Sequence, residues 1–300
     1  MRKKLFFYLL PVLLVVGACK EQFTGVNFNP PPAGEQLYID SSYQAAVPKQ
    51  ESKMVLLEDF TGLSCVNCPY ADDEDSVLRA QYPNQIVSIC EHTVIGSLSN
   101  PYPGYGALSD SDALVNYNLF GNQGSLPYGA IDRTIFSGQD TILQLYGAWG
   151  GFMSTEVTLT PPMNVDIVNQ IYDTTSGKLT ATIQVTYTSI MNEYNYISAA
   201  ITEDSIIDPQ KNFTGWVLKY VHQHVLRKFI FPVTGLQLET SGSHSPGNIY
   251  SPGNTYLVKF NTYINKKEWK PAHCNIVAFV HEETGRKLKV LQATISHLKL

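Results

Sequence analysis

Asp59-Phe60-Thr61-Gly62-Leu63-Ser64-Cys65-Val66-Asn67-Cys68-Pro69 is the stretch whose reading decides the fold. Before it runs Met54-Val55-Leu56-Leu57, an apolar segment of buried-strand type, and after it Ala71 to Tyr82 reads as a helix. Two cysteines with two residues between them, at a strand-to-helix junction, have the geometry of a dithiol–disulfide pair. Free backbone N–H groups at a helix N-terminus favour nearby negative charge, so a cysteine there ionises more readily than a free one. The same spacing equally suits half of a zinc site or a structural disulfide. The surroundings have to decide.

Working outward, the segment from Lys53 alternates strands and helices. Met54–Phe60 is expected to be a strand, Ala71–Tyr82 a helix, and Gln85–His92 a second strand. A helix follows at Ser109–Leu119, with Asp110 and Asp112 near its start as the helix dipole favours. Gly129–Phe136 is expected as a third strand and Thr141–Met153 as an amphipathic helix. Strand–helix–strand order of this kind gives a βαβ start and a sheet covered by helices.

From Thr155 the texture changes to short alternating or β-branched runs: Glu156–Thr160, Asn164–Ile171, Leu179–Thr188, Tyr196–Thr202, Trp216–Val225, Tyr256–Tyr263, Asn275–His281 and Lys287–His297. Turn residues separate them and no helical period interrupts them. That pattern predicts an antiparallel sandwich, immunoglobulin-like in strand spacing. Ser241 to Gly253, rich in Ser, Gly and Pro, is expected as a long surface loop. The predicted fold class is therefore α/β followed by all-β.

The N-terminus predicts a destination. Arg2-Lys3-Lys4 precedes an apolar run, Leu5 to Val16, of signal-peptide length and too short to span a bilayer comfortably. The run ends in Val16-Gly17-Ala18-Cys19, which resembles the lipobox of bacterial lipoproteins. That resemblance implies cleavage before Cys19 and acylation of Cys19, with several acyl chains giving stable anchoring. Residues 20 to about 50, with Pro30-Pro31-Pro32 and scattered Gly, Gln and Asn, read as a tether, although Gln36 to Ile39 would also suit a donated strand. The expected layout is signal peptide 1–18, lipidated cysteine and tether 19–50, α/β domain 51–154 and β-sandwich domain 155–300.

Composition limits the function classes. The chain has 300 residues, enough for two domains after removal of a leader, and 44% hydrophobic residues, enough to bury real cores. Net charge is −5 and no basic run lies beyond Arg2-Lys3-Lys4, so nucleic-acid binding has no electrostatic footprint. Once Cys19 is acylated, Cys65, Cys68, Cys90 and Cys274 remain. Outside the cytoplasm disulfides are permitted, and Cys65–Cys68 is the natural pair. Cys90 and Cys274 sit in apolar runs and read as buried free thiols, with a long-range bridge as the alternative.

Three features of residues 54–154 resemble a thioredoxin-fold domain: Asp59-Phe60 six residues before Cys65, the C-x-x-C at the strand–helix junction, and Ser125-Leu126-Pro127 before the third strand. The run Leu126-Pro127-Tyr128-Gly129-Ala130-Ile131-Asp132 also resembles one in secreted thioredoxin-like proteins. The resemblance implies Cys65 as attacking thiolate, Cys68 as resolving thiol, Asp59 as proton acceptor and Pro127, in a cis peptide, as shaper of a substrate groove. It departs from the family at Ser64, where a Trp is usual, at Val66-Asn67 between the cysteines, and at Asp72, Asp73, Glu74 and Asp75, which oppose thiolate formation.

Further along, Val221-His222-Gln223-His224-Val225-Leu226-Arg227, together with Cys65-Val66-Asn67-Cys68-Pro69, Val277-Ala278-Phe279-Val280 and Val290-Leu291-Gln292-Ala293, resembles the 28-kilodalton outer-membrane-protein-related lipoproteins of the Bacteroidetes. That implies an outer-membrane lipoprotein, on its periplasmic or cell-surface side. On a strand, His222 and His224 would share a face and are weak metal candidates lacking a third ligand; no cofactor is expected. Two functions remain open. One is thiol–disulfide exchange on a protein substrate through Cys65 and Cys68. The other is a non-catalytic surface binding or adhesion module, using the Tyr-rich loop Asn100 to Tyr105 and the loop Ser241–Gly253. No G-x-S-x-G or H-E-x-x-H motif supports hydrolysis.

Overall fold

The computed structural model describes residues 36–238, 250–283 and 288–300. The leader, Cys19, the first part of the tether and most of the loop 241–253 lie outside the described residues. In chain order the first half contains β1 (Gln36–Gln44), β2 (Val55–Thr61), α1 (Cys68–Gln81), β3 (Ile86–His92), α2 (Ser111–Leu119), β4 (Tyr128–Ile131), β5 (Leu143–Gln144) and α3 (Trp149–Glu156). The second half contains β6 (Met163–Tyr172), β7 (Lys178–Tyr187), β8 (Asn195–Glu203), β9 (Ile206–Asn212), β10 (Gly215–His222), β11 (Val225–Phe229), β12 (Leu236–Gln237), β13 (Asn254–Tyr263), β14 (Cys274–Glu282) and β15 (Val290–His297).

Strands β2 and β3 are buried along their whole length, which is why their sequences are near-continuous apolar runs. They pair in parallel across α1, and β4 adds antiparallel to β2. Helix α1 begins at Cys68, with Pro69 in its first turn, and buries Cys68, Ala71 and Leu78. Pro is tolerated there because its missing N–H has no partner in the helix anyway.

The two halves do not separate at residue 154. A nine-stranded sheet runs β15-β14-β8-β11-β3-β2-β4-β5, with β12 beside β8. The seam is a parallel pairing of β11 with β3, with Val225 opposite Cys90. Strands from both expected domains thus lie in one sheet. The four-stranded sheet β1-β13-β7-β6 supplies the other layer. Ile183, Val185, Val258 and Phe260 pack from it against Ile197, Ile201, Ile276 and Val280, the core of a β-sandwich. The architecture is mixed α/β plus β-sandwich.

Several boundaries differ from the sequence reading, each for a local reason. Gln36–Gln44 is an edge strand on β13 rather than tether. The third strand stops at Ile131, because Asp132 and Arg133 take positive φ (45° and 50°). That turn aims Asp132 at Lys53 (2.8 Å) and Arg133 at Glu58 (2.6 Å), both pairs buried. The helix expected from Thr141 begins only at Trp149, since Leu143–Gln144 pairs with β4 as the sheet's last strand. Trp149 is fully buried, and its indole N–H donates to the Gln144 carbonyl at 3.1 Å. Residues 156–160 are the end of α3 and a turn rather than a strand. The run 216–225 is broken at Gln223–His224, where His224 has φ 54°. β9 carries Pro209 and, among the described strands, pairs with β10 in a two-stranded sheet, as a proline-bearing strand at an edge can.

Candidate functional site

Cys65 and Cys68 are joined in a disulfide, with Cα atoms 5.4 Å apart. Their loop is held locally: the Cys65 N–H donates to Gly62 O (3.0 Å) and the Cys68 N–H to Cys65 O (3.3 Å). Leu126–Pro127 is a cis peptide, as the sequence implied. Phe60, Tyr117, Phe120 and Leu126 pack with the two cysteines in one apolar cluster. The sulfur pair is buried: Cys65 is 1% exposed and Cys68 0%.

Two segments roof the disulfide. The first is the stretch after β3: Ser64 N–H donates to Leu98 O at 2.9 Å, and Ser64 Oγ to Asn100 O at 2.7 Å. The fit is close enough that a Cβ on Gly62 would stand 2.5 Å from Leu98 O. The second is the β9–β10 hairpin of the C-terminal half. The buried Gln210 amide donates to Gly62 O (3.2 Å) and Cys65 O (3.1 Å), and the Lys211 N–H to Leu63 O (2.9 Å). Tyr220 donates from its hydroxyl to Asp72 Oδ2 on α1 at 2.5 Å. Ring contacts extend the cover: Phe213 with Tyr70 at 6.0 Å and Trp216 with Tyr102 at 5.2 Å.

The outer side of this hairpin carries exposed apolar side chains beside Lys219. Ile207 and Phe213 are 60% and 67% exposed, and Leu218 and Val221 are also exposed. The Tyr-rich loop joins it through Tyr102, whose ring also meets Tyr105 at 5.8 Å. Sequence reasoning missed the hairpin's covering role, and no local pattern in residues 206–222 signals it.

Asp59, expected beside the resolving thiol, faces α1 and β3. Its carboxyl lies 4% exposed among Asp72, Asp75 and Cys90, and burial first, then those aspartates, push it well above the ordinary carboxylate range. Burial also lifts Asp72 to about 6, against the lowering pull of Tyr220. Cys90 and Cys274 are buried free thiols, as expected.

The two histidines part company. His222 ends β10 with its ring 5.3 Å from that of His92, and burial lowers it to about 4. His224 lies past the turn, 3.0 Å from Asp204. The shared strand face expected for them does not form. Among the described residues the group of three metal-ligating side chains is Asp59, Asp72 and Cys90 instead.

A family model described as outer membrane protein Omp28 matches residues 115–299. The chain belongs to the Omp28 outer membrane protein family. The match starts inside α2 and runs through the sandwich strands β6 to β15, including the hairpin bonded to the disulfide loop. The Omp28 assignment bears out the resemblance drawn from the sequence and makes this an outer-membrane protein. No helix among the described residues is long and apolar enough to cross a membrane.

Among solved structures, HBP35 of Porphyromonas gingivalis is similar to this Omp28 member at TM-score 0.61 and 17% identity, covering 83% of this chain and 77% of that one. At that identity the likeness concerns fold alone. A protein of Agrobacterium tumefaciens aligns at TM-score 0.45 and 12% identity, over 84% of this chain and 98% of its own. No curated protein matches by sequence.

Proposed function

We propose that the protein is a membrane-anchored recognition module, in which a thioredoxin-like half and an immunoglobulin-like sandwich form one scaffold and Cys65–Cys68 is a staple. The observation that carries this reading is the burial of both sulfurs beneath the β9–β10 hairpin. Thiol–disulfide exchange needs a thiolate to approach a sulfur in line, so its rate falls with access. A strand from the other half of the chain is bonded to the disulfide loop through Gln210 and Lys211. The exposed apolar side chains on the outer side of the hairpin, with Tyr102 and Tyr105, form the surface offered to a partner, since contiguous exposed apolar side chains are typical of interaction sites.

The anchor in this reading is acylated Cys19, which keeps the module at the outer membrane. A second reading, exchange through Cys65 and Cys68, draws on the C-x-x-C at the helix start and on Leu126 packed beside it. It requires the hairpin to lift.

Insulin reduction by the full chain, with glutathione as electron source, separates the two. The recognition reading expects no turnover above the glutathione background. Turnover that Cys65→Ser abolishes would overturn it. On the binding side, Phe213→Ser/Leu218→Ser should weaken capture of a protein or glycan ligand from an array, while the Cys65→Ser/Cys68→Ser double variant should retain it.

A further inference from the structure

Between α1 and the sheet is a cavity of about 30 Å³ lined by Asp59, Asp72, Asp75, Ser88, Cys90, Gln223 and His224. That is room for one water or one ion. Strand register builds it. In the parallel pairing of β2 and β3, Asp59 stands opposite Cys90, so both side chains point to the same face of the sheet. Helix α1 crosses that face and adds Asp72 and Asp75, three positions apart and therefore adjacent on the helix surface. On the far side of β3, the Cys90 N–H donates to His224 O at 2.8 Å, which fixes the turn that closes the cavity.

We propose that Asp59, Asp72 and Cys90 bind a divalent cation of zinc's borderline softness, with water completing the shell. One donor atom from each lies within 4.8 Å of the other two. A tetrahedral zinc site with oxygen and sulfur ligands holds them roughly 3.3–3.8 Å apart, so the group has to close by at most about 1.5 Å. A carboxylate pair with one thiolate is a donor set that favours zinc-like ions over magnesium or calcium, which take oxygen alone.

An observation independent of the acidic cluster points to a ligand. Asp59 is 4% exposed and lines the cavity, and apart from the carboxyl contact with Asp72 its Oδ1 has no hydrogen-bond partner. Buried carboxylate oxygens are paired or coordinate metals, because leaving one bare costs several kcal/mol. Among the described residues no Lys or Arg forms an ion pair with Asp59, Asp72 or Asp75.

The neighbours around these donors also suit a metal. Tyr220 holds Asp72 through Oδ2 at 2.5 Å, leaving its other oxygen for the cavity, and Ser88 Oγ donates to Asp75 Oδ1 at 2.6 Å. Such outer contacts orient metal ligands. An occupied site would tie β2, β3 and α1 together and, through Tyr220, pin the hairpin that covers the disulfide.

Cobalt(II) titration of the full chain under non-reducing conditions tests this, because a thiolate-to-cobalt charge-transfer band reports sulfur ligation directly. The expected result is a saturable band at one equivalent, displaced by zinc, lost in Cys90→Ser and retained in Cys274→Ser. Asp72→Asn, on the partly exposed helix face, should weaken binding at least tenfold while keeping the bond to Tyr220. Should Cys90→Ser not fold, Asp72→Asn alone decides. Absence of a band at saturating cobalt, a band that survives Cys90→Ser, or unchanged affinity in Asp72→Asn would each overturn the proposal.

Discussion

Replacing Gln210 by Ala removes the amide that ties the β9–β10 hairpin to the disulfide loop. Its Nε2 donates to the carbonyls of Gly62 and Cys65, and Gln210 is 1% exposed, so the substitution deletes two buried cross-segment bonds while both carbonyls keep their local N–H donors. At roughly 0.5–1.5 kcal/mol net per bond, the two together contribute about 1–3 kcal/mol. The remaining ties, Lys211 N–H to Leu63 O and Tyr220 to Asp72, stay in place. Reduction of the disulfide has to wait for the hairpin to open, so the loss appears in the opening equilibrium. At about 1.4 kcal/mol per tenfold, reduction by dithiothreitol should speed up about 5- to 150-fold. The assay is pseudo-first-order reduction with iodoacetamide trapping, read by intact mass. Tyr187→Phe serves as control: it deletes a buried bond from Tyr187 to Asn195 (2.8 Å) in the sandwich, far in sequence from the hairpin. An unchanged rate in Gln210→Ala, or equal acceleration in both variants, would refute local opening of the hairpin as the gate.

Other consequences are as direct. Arg133 sits between the rings of Phe120 and Phe279 (5.0 and 4.7 Å) and pairs with buried Glu58. Arg133→Ala strands that carboxylate and should lower unfolding free energy by about 3–5 kcal/mol in urea, with part recovered when Glu58→Gln is added; an unaltered midpoint contradicts the pairing. Burial, and next the Arg133 charge, lower His281 to about 3. Its neutral form therefore contributes stability that is complete above pH 6.5 and is lost as pH falls toward 3. Relative to wild type, His281→Gln should gain about 1.4 kcal/mol per pH unit on acidification through that window; a difference that does not vary between pH 7 and 4.5 counts against it. Cys19→Ala should abolish incorporation of labelled palmitate and release the chain from the outer-membrane fraction, and continued membrane association would remove the lipid-anchor reading.

Much of the scaffold was legible because its signals are local. The apolar runs at 54–60 and 85–92 announce strands buried on both faces, and they lie within a residue or two of β2 and β3. Cys65 and Cys68 are paired, and Leu126–Pro127 is cis. The rest depended on contacts between distant segments. Nothing in Val225-Leu226-Arg227-Lys228-Phe229 says that it joins β3 from the other half of the chain, because pairing partners are not written in a strand's own pattern. His222 and His224 looked like neighbours on one face until a positive φ at His224 separated them. Asp59 was assigned to Cys68 by resemblance, and its cross-strand neighbour Cys90 was not legible, because register is set by the pairing of β2 with β3. The hairpin over the disulfide left no trace in residue periodicity, and it changes the reading of the site from an open dithiol to a closed one.

The rate at which Cys65–Cys68 is reduced in the folded wild-type chain, relative to the same chain in urea, measures that closure most directly. The account predicts protection of at least about a hundredfold, near 2.7 kcal/mol of opening. Equal rates in the two conditions would mean that the sulfurs are already open to solvent, and the covered-staple reading would fail.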